Sequence, residues 1–263
     1  MALDAAARGY DVLLLEQSDF GKGTSSRSTK LVHGGVRYLE QGNVSLVMEA
    51  LKERGLLRQN APHLVSNLAF VVPNYEWWEA PFYGVGLKVY NLLSGRYGFG
   101  DSEILSRDET LARLPTIRTE GLRGGVVYYD GQFDDARLLV NMAATAAEQG
   151  AALLNYAPVE ALTRDGHGFV DGVVAHDLES GREVKATARV VINAAGPFAD
   201  GVRAMAGARG DALRPTRGSH LVLPDVGLRR AVLFAGRLPE HRLFAIPWRG
   251  VTLFGTTDVD ACA

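Results

Sequence analysis

The sequence is short of cysteine, of net positive charge and of long apolar runs, and each shortage excludes a class of protein. Its single cysteine, Cys262, rules out an internal disulfide framework and weakly favours a reducing compartment. The net charge is −2 and the lysines and arginines are dispersed, so we expect no nucleic-acid partner. No apolar stretch reaches the length that a membrane-spanning helix needs.

Signals for export and for metal binding are missing as well. The opening residues, MALDAAARGYDVLLLEQ, contain neither the charged n-region nor the cleavage site of a signal peptide. No spacing of His, Cys and Asp indicates a metal site, and no internal repeat is apparent. A chain of 263 residues, 47% of them hydrophobic, is long enough for a sizeable core. We therefore expect a cytoplasmic globular protein of two domains.

The first 17 residues have the pattern of the second half of a dinucleotide-binding βαβ unit. Ala2 to Arg8 favour a helix that Gly9 ends, and the apolar run 13–15 predicts a buried parallel strand that stops before Glu16. In such a unit this acid accepts hydrogen bonds from a ribose diol, and the glycine-rich phosphate loop lies about 20 residues upstream. We therefore expect the first strand and the GxGxxG turn to precede Met1. The alternative is a chain that starts naturally with a short helix.

The stretch from Thr24 to Gln41 reads TSSRSTKLVHGGVRYLEQ and combines hydroxyl groups, cations, a His beside a Gly pair and a Tyr. Such groups can hold an anion. Composition alone leaves a solvated loop open, because hydroxyl clusters are common in connections. The position of the stretch, one short loop after Glu16, favours the anion-binding interpretation.

The rest of the chain alternates predicted helices and strands. Asn43 fits the cap of a helix, Asp134 or Asp135 the cap of another that Gly150 ends, and residues 199–206 resemble a third. A meander with a turn at Gly181 should end in an apolar strand at 190–192. Glycine in the small-residue turn that follows lets backbone approach a ligand. Further strands are predicted at 126–129, 151–155, 219–223, 231–234, 243–248 and 251–254, which suggests a mixed sheet facing a pocket.

Residues 69–100 are rich in aromatics and poor in acids. Tryptophan and tyrosine suit the headgroup region of a bilayer, so one interpretation is a patch that rests on a membrane. The other is an ordinary helix that is buried by packing. The residues concerned are Trp77, Trp78, Phe82, Tyr83 and Tyr90.

Seven segments together resemble the family of FAD-dependent glycerol-3-phosphate dehydrogenases, flavoproteins of the amino-acid-oxidase-like superfamily. The block TSSxSxKLxHGGxRYLE is the specific part, whereas the ribose-acid unit and the NAAG turn occur in many flavoproteins. The segments are ALDAAARGYDVLLLEQ (2–17), TSSRSTKLVHGGVRYLEQG (24–42), YYDGQFDDARL (128–138), NAAGPFAD (193–200), RGSHLVLP (217–224), FAIPW (244–248) and FGTTDVD (254–260).

The resemblance implies an α/β fold with a Rossmann-like FAD-binding domain interleaved with a mixed-sheet substrate domain. The flavin domain would comprise residues 1–67 and 123–200, and the substrate domain residues 68–122 and 201–263. Members of the family begin before the residue that matches Met1 and continue past the GTTD motif. We therefore expect a fragment truncated at both ends, in which the first strand and GxGxxG turn of the FAD domain are missing.

The resemblance also implies a set of FAD contacts. Glu16 and Gln17 match the adenosine-ribose position, and Val159 matches a backbone contact to adenine. The loop along the pyrophosphate towards the flavin is matched by Thr24, Ser25, Ser26, Lys30, Leu31 and His33. The turn near the pyrophosphate is matched by Ala194, Ala195 and Gly196.

For the substrate, the resemblance implies that Arg37 and Tyr38 hold the phosphate of glycerol 3-phosphate. It gives catalytic roles to Arg37 and to His220, whose ordinary pKa near neutrality suits a base. Thr256 would line the pocket or simply form a turn. Without the motif, His220 would be a structural residue of an apolar strand, Arg37 a solvated helix charge and Tyr38 a packed aromatic.

The implied reaction oxidises sn-glycerol 3-phosphate to dihydroxyacetone phosphate with FAD as hydride acceptor and a quinone as electron acceptor. The implied setting is peripheral contact with the cytoplasmic membrane, and a homodimer is left open. Two alternatives stand: another flavoenzyme of the superfamily that oxidises an amine or amino acid, and a non-catalytic fragment.

Overall fold

The computed structural model describes residues 1–35, 38, 42–235 and 242–261. The helices are α1 (Ala2–Ala7), α2 (Val44–Asn60), α3 (Glu79–Ser94), α4 (Arg107–Arg113), α5 (Asp135–Glu148) and α6 (Ala199–Met205). The strands are β1 (Leu13–Leu15), β2 (Leu31–Val32), β3 (Val65–Asn74), β4 (Glu103–Ser106), β5 (Gly124–Phe133), β6 (Ala152–Leu154), β7 (Val159–Arg164), β8 (Val170–Asp177), β9 (Arg182–Thr187), β10 (Thr216–Arg217), β11 (His220–Pro224), β12 (Ala231–Ala235), β13 (Arg242–Trp248), β14 (Val251–Gly255) and β15 (Val259–Asp260). Short 3₁₀ turns span Thr24–Ser26, Gly95–Tyr97 and Gly196–Phe198.

The chain divides into two compact units that interleave along the sequence. Unit 1 comprises residues 1–28, 135–216 and 260–263, and unit 2 comprises residues 29–134 and 217–259. Residues 29–67 and 123–134, predicted for the flavin domain, lie in unit 2, because β2 and β3 both pair with β5. The assignment of one domain to the cofactor and the other to the substrate stays a prediction.

Unit 1 contains the predicted helix–strand pattern of the chain's opening. β1 pairs in parallel with β6, with Leu14 opposite Leu153. A small apolar cluster of Ala6, Ala146 and Ala151 packs helix α1 against the end of α5. Strands β7, β8 and β9 form an antiparallel meander, and its β8–β9 turn holds Gly181 at a φ of 70°, which glycine adopts without strain. The helix, the strand before Glu16 and the meander are confirmed.

The predicted strand at 190–192 is wrong. Residues 188–195, all of them described, form no strand, and β9 ends at Thr187. Val190 is 71% exposed and Ile192 60% exposed. An apolar run becomes a buried strand only when a neighbouring strand pairs with it, and no described strand lies alongside these residues. Leu13, predicted as buried, is likewise 44% exposed.

Unit 2 is built on a mixed sheet with the strand order β11-β14-β13-β12-β3-β5-β2. The eighth strand of the sheet, β4, also pairs with β5. Its centre is the antiparallel pair β3–β5, in register from Val65 opposite Phe133 to Asn74 opposite Gly124. β12 joins β3 in parallel, and the other pairs are antiparallel. The predicted mixed sheet is confirmed, including its four last strands.

The two faces of this sheet carry separate apolar clusters, as the alternation of side chains along a strand requires. Phe70 and Val72 of β3 belong to one cluster, which Leu87 of α3 covers. Val71 belongs to the other, which includes Leu114 after α4. The sheet is therefore buried on both sides at its centre, which explains why β3 reads as a nearly continuous apolar run.

Helix α3, which lies in the aromatic stretch, has one buried side and one exposed apolar side, and the membrane interpretation of the stretch stays a prediction. Its inner side is buried, with Leu87 and Tyr90 no more than 2% exposed. Its outer side leaves large apolar side chains exposed at helical spacing: Trp78, Phe82, Val85, Val89 and Leu92. Trp77, just before the helix, is 74% exposed.

Candidate functional site

In unit 1, Glu16 stands directly after β1, as the dinucleotide pattern requires. Its backbone N–H continues the β1–β6 ladder by donating to the Leu154 carbonyl at 2.9 Å. One carboxylate oxygen, Oε1, accepts from the Ser18 N–H at 3.0 Å, which fixes the side chain. A carboxylate has several acceptor sites, so one such bond leaves capacity for a ribose diol. Glu16 is half-buried and Gln17 is exposed.

The hydroxyl cluster forms a 3₁₀ turn at Thr24–Ser26, closed by a hydrogen bond from the Arg27 N–H to the Thr24 carbonyl. Thr24 and Ser25 are exposed and Ser26 is half-buried. The turn is followed by a firm anchor, because the N–H and the hydroxyl of Ser28 both donate to Asp135 Oδ2, at 3.1 and 2.7 Å. Asp135 was predicted only as a helix cap, so its second role as the anchor of this loop was missed.

The NAAG turn presents an open backbone surface. Ala194 and Gly196 are exposed, Ala195 is half-buried, and Gly196 has a φ of 55°. A Cβ added to Gly196 would meet no described atom within 4 Å. The Asn193 side chain braces the turn by accepting from the Ala195 N–H at 3.2 Å and donating to the Ala199 carbonyl at 2.9 Å.

Val159, the last of the predicted cofactor contacts in unit 1, begins β7 opposite Ala175 and is half-buried. An acceptor after a parallel strand, a hydroxyl turn and an open glycine turn are groups that bind the ribose and pyrophosphate of a dinucleotide. The residues present in unit 1 therefore fit FAD chemically.

In unit 2, the structure brings His220 together with Thr29 and Lys30. His220 opens β11, and its Nε2 lies 3.0 Å from the Thr29 hydroxyl, with donor and acceptor set by the imidazole tautomer. Burial lowers the pKa of His220 below its ordinary value, and the charge of Lys30 lowers it further. Both effects disfavour the imidazolium, so a neutral ring that can accept a proton predominates at neutral pH.

Close backbone packing holds the His220 ring from the other side. Gly255 lies opposite His220 in the β11–β14 pair, and a Cβ on Gly255 would come within 2.9 Å of the imidazole Cδ2. Thr256 is half-buried and its hydroxyl donates to the Thr257 carbonyl at 2.9 Å. The Ser219 N–H donates to the Thr257 hydroxyl at 2.9 Å, which ties the two ends of this corner together.

The strand β2 begins at Leu31, and it is followed by the His-Gly-Gly turn, which comprises His33, Gly34 and Gly35. The Gly35 N–H donates to His33 Nδ1 at 3.1 Å, which leaves Nε2 as the ring's other nitrogen. The Tyr38 N–H donates to the Gly35 carbonyl at 2.8 Å, and Tyr38 is 41% exposed. Arg37, the predicted phosphate ligand, lies outside the described residues.

Two contributors were missed by the sequence reasoning. Thr29 was recognised only as part of a hydroxyl cluster, and nothing in the pattern links it to a histidine almost two hundred positions later. Tyr90, assigned to the aromatic stretch, accepts from the Gly34 N–H at 2.8 Å. No sequence signal could have given either contact, since both join segments far apart along the chain.

Within the described part of the chain, no three His, Cys, Asp or Glu side chains are placed together to hold a metal ion. None of the helices described there is long and apolar enough to cross a membrane.

Proteins similar in sequence align with almost the whole chain. The mitochondrial glycerol-3-phosphate dehydrogenase of Mesocricetus auratus is 41% identical over 276 residues, which cover 98% of this chain and 37% of that protein. The mitochondrial glycerol-3-phosphate dehydrogenase SDP6 of Arabidopsis thaliana is 43% identical over 273 residues, covering 98% of this chain and 43% of that protein. The chain thus spans less than half the length of these relatives.

Solved structures agree with this likeness. The glycerol-3-phosphate dehydrogenase of Bacillus halodurans, complexed with FAD, matches with a TM-score of 0.78 and 36% identity over 98% of this chain and 45% of that one. The glycine oxidase of Geobacillus kaustophilus matches with a TM-score of 0.71 at 22% identity, over 98% of this chain and 68% of that one, and so shows the fold alone. The family model "FAD dependent oxidoreductase" matches residues 1–262. The resemblance inferred from the motifs is confirmed, and the chain belongs to the FAD dependent oxidoreductase family.

Proposed function

We propose that the protein oxidises glycerol 3-phosphate to dihydroxyacetone phosphate with FAD as the cofactor. The observation that carries the proposal is the likeness, over 98% of this chain, to the FAD-complexed Bacillus halodurans enzyme at 36% identity. It is supported by a half-buried His220 whose depressed pKa favours the neutral ring. When bound, FAD supplies the acceptor for the hydride that leaves C2 of the substrate.

Different residues of unit 1 would hold the ribose, the pyrophosphate and the adenine of the cofactor. Glu16 would accept from the adenosine ribose, with Gln17 beside it. The Thr24–Ser26 turn and the turn from Ala194 to Gly196 would serve the pyrophosphate through hydroxyl and backbone groups. Val159 would contact adenine through its backbone. The roles that the family resemblance implies for Lys30, Leu31 and His33 at the flavin end stay predictions.

His220 would take the proton of the C2 hydroxyl as the C2–H bond gives up its hydride, so that the carbon becomes a ketone. Thr29 holds the ring at Nε2. Burial, and after it the charge of Lys30, lowers the pKa of His220 and so favours the neutral imidazole. The lowered pKa favours general-base catalysis, in which the base must be unprotonated before the reaction. The tautomer in which Nε2–H donates to the Thr29 hydroxyl leaves the Nδ1 lone pair to take the proton.

The phosphate of the substrate would be bound by Arg37 and Tyr38. Guanidinium groups pair with a phosphate through two parallel N–H donors, which makes Arg37 suited to a dianion. The Tyr38 side chain is exposed at the end of the His-Gly-Gly turn, where its hydroxyl can donate. Thr256 would contribute to the same pocket as His220.

The test is substrate-dependent dye reduction by the FAD-loaded chain, with glycerol 3-phosphate, glycerol and glycine as substrates. We expect turnover with glycerol 3-phosphate and its loss in His220→Ala. His176→Ala, in the β8 strand of unit 1, is the matched control and should leave turnover unchanged. Turnover with glycine but not with glycerol 3-phosphate would assign an amine-oxidising activity instead, and turnover with neither would favour a non-catalytic fragment.

We also propose that electrons leave to a quinone at a membrane on which the protein rests peripherally. The support is the outer face of α3, where Trp78 and Phe82 stack edge to face with ring centroids 5.9 Å apart beside three exposed aliphatic side chains. An apolar helical face flanked by tryptophan lies favourably at the headgroup boundary.

Co-sedimentation with lipid vesicles tests this contact. Phe82→Ser should reduce vesicle binding, whereas Leu221→Ser, which removes an even more exposed apolar side chain from β11, should not. The same face could pair two copies of the chain as a homodimer. Sedimentation velocity without lipid separates the two, because a dimer that Phe82→Ser dissociates would assign the face to self-association.

A further inference from the structure

A buried polar network lies beneath the His-Gly-Gly turn, and nothing in the proposed chemistry uses it. Arg54 of α2 is 1% exposed, Tyr90 of α3 is fully buried, and Asp130 of β5 is 2% exposed. Charged and phenolic groups are rarely placed in a core unless each one is paired.

The network is closely connected. Arg54 Nη1 donates to Asp130 Oδ1 at 2.6 Å, and Arg54 Nη2 donates to the Tyr97 carbonyl at 3.2 Å. The Tyr90 hydroxyl donates to Asp130 Oδ2 at 2.9 Å. Burial first, and then the Asp130 carboxylate, raise the pKa of Tyr90 well above its ordinary value, so the hydroxyl keeps its proton.

The network ends on the backbone of the turn. With its proton given to Asp130, the Tyr90 oxygen accepts from the Gly34 N–H at 2.8 Å. The approach is so close that a Cβ on Gly34 would lie 2.4 Å from this oxygen and 2.3 Å from Leu51 Cδ2. Gly34 belongs to neither a strand nor a helix, and it is fixed instead by the Tyr90 side chain, 56 positions further along the sequence.

We propose that Tyr90, oriented by Asp130 and Arg54, is a positioning residue that sets the turn carrying His33 and Tyr38. On the N-terminal side of Gly34 the chain is held by the β2–β5 ladder. On its C-terminal side the Tyr38 N–H donates to the Gly35 carbonyl. The Tyr90 hydroxyl supplies the fixed point between these two. The role in cofactor and substrate binding rests on the proposed function, whereas the anchoring of Gly34 does not.

Amide hydrogen exchange of the cofactor-free chain tests the anchoring. In the native chain, the Gly34 amide should exchange as slowly as amides of the β3–β5 pair such as Val71, although Gly34 belongs to neither a strand nor a helix. Tyr90→Phe removes only the hydroxyl and should speed Gly34 exchange about tenfold while Val71 changes less. A Gly34 amide that is unprotected in the native chain overturns the inference, even if the variant fails to fold.

The proposed effect of Tyr90 on cofactor and substrate binding is tested by measuring the Kd for FAD and the KM for glycerol 3-phosphate, well below the unfolding temperature of every variant. Tyr90→Phe should raise the Kd for FAD or the KM for glycerol 3-phosphate about tenfold, the range of one lost buried hydrogen bond, with a smaller change in kcat. Tyr75→Phe, which loses an exposed bond to the Arg118 carbonyl, is the matched control and should change neither. Faster Gly34 exchange with unchanged affinities would overturn the positioning role, whereas absence of FAD binding in the native chain would overturn the proposed function and leave the exchange result standing.

Discussion

Removal of the Arg54 guanidinium should destabilise unit 2 far more than removal of an arginine one turn further along the same helix. Arg54→Ala breaks the 2.6 Å ion pair with Asp130 and the 3.2 Å bond to the Tyr97 carbonyl. It also removes a cation from 4.2 Å above the Phe99 ring. The carboxylate of Asp130 stays behind, buried and without its cation, and breaking such a buried pair costs about 4 kcal/mol.

Arg58→Ala is the matched control, because Arg58 also stacks on Phe99, at 4.8 Å, and makes one exposed bond to Asn67. An exposed contact of this kind contributes less than about 1 kcal/mol. The predicted difference between the two variants is therefore about 3 kcal/mol.

Urea unfolding followed by tryptophan fluorescence measures this difference in the right part of the molecule, since Trp77, Trp78 and Trp248 all lie in unit 2. With a slope of about 2 kcal/mol/M, the midpoint should fall by about 2 M for Arg54→Ala and by less than about 0.5 M for Arg58→Ala. The double variant Arg54→Ala, Asp130→Ala should cost less than the sum of its parts, because no charge is left unpaired. Equal midpoints for Arg54→Ala and Arg58→Ala would refute the reasoning.

Three more outcomes follow from the site. Lys30→Met removes a charge that lowers the His220 pKa, so the acid limb of the kcat/KM profile, which requires neutral His220, should move to higher pH; a profile that stays in place contradicts the assignment. Gly255→Ala would place a Cβ 2.9 Å from the His220 ring, and we expect thermal denaturation to show a loss of about 1–3 kcal/mol together with a lower kcat. Glu16→Gln keeps the shape of the strand end but removes its charge, and fluorescence titration should show FAD bound about tenfold more weakly; unchanged affinity would exclude Glu16 from the ribose site.

The sequence predicted well those elements whose pattern is local. Leu13 to Leu15 followed by Glu16, the helix before Gly150 and the turn at Gly181 each depend on neighbours a few residues away, and each lies where it was predicted. Local signals suffice there because propensity, capping and turn chemistry act over one or two turns of chain.

The remaining features depend on partners that no pattern names. Val190 and Ile192 have the composition of a buried strand, yet no described strand pairs with them and they remain exposed. Arg54 sits on the buried side of α2, where a charge is unexpected, because Asp130 reaches it from β5. In both cases the outcome is decided by contacts distant in sequence, which a single sequence does not reveal.

The most direct test of the account is anaerobic addition of glycerol 3-phosphate to the FAD-loaded chain, followed by the visible absorbance of the bound flavin. We predict that glycerol 3-phosphate bleaches this absorbance, that glycerol does not, and that His220→Ala slows the bleaching without releasing the FAD. Flavin that binds but stays oxidised in the presence of glycerol 3-phosphate would contradict the proposed activity.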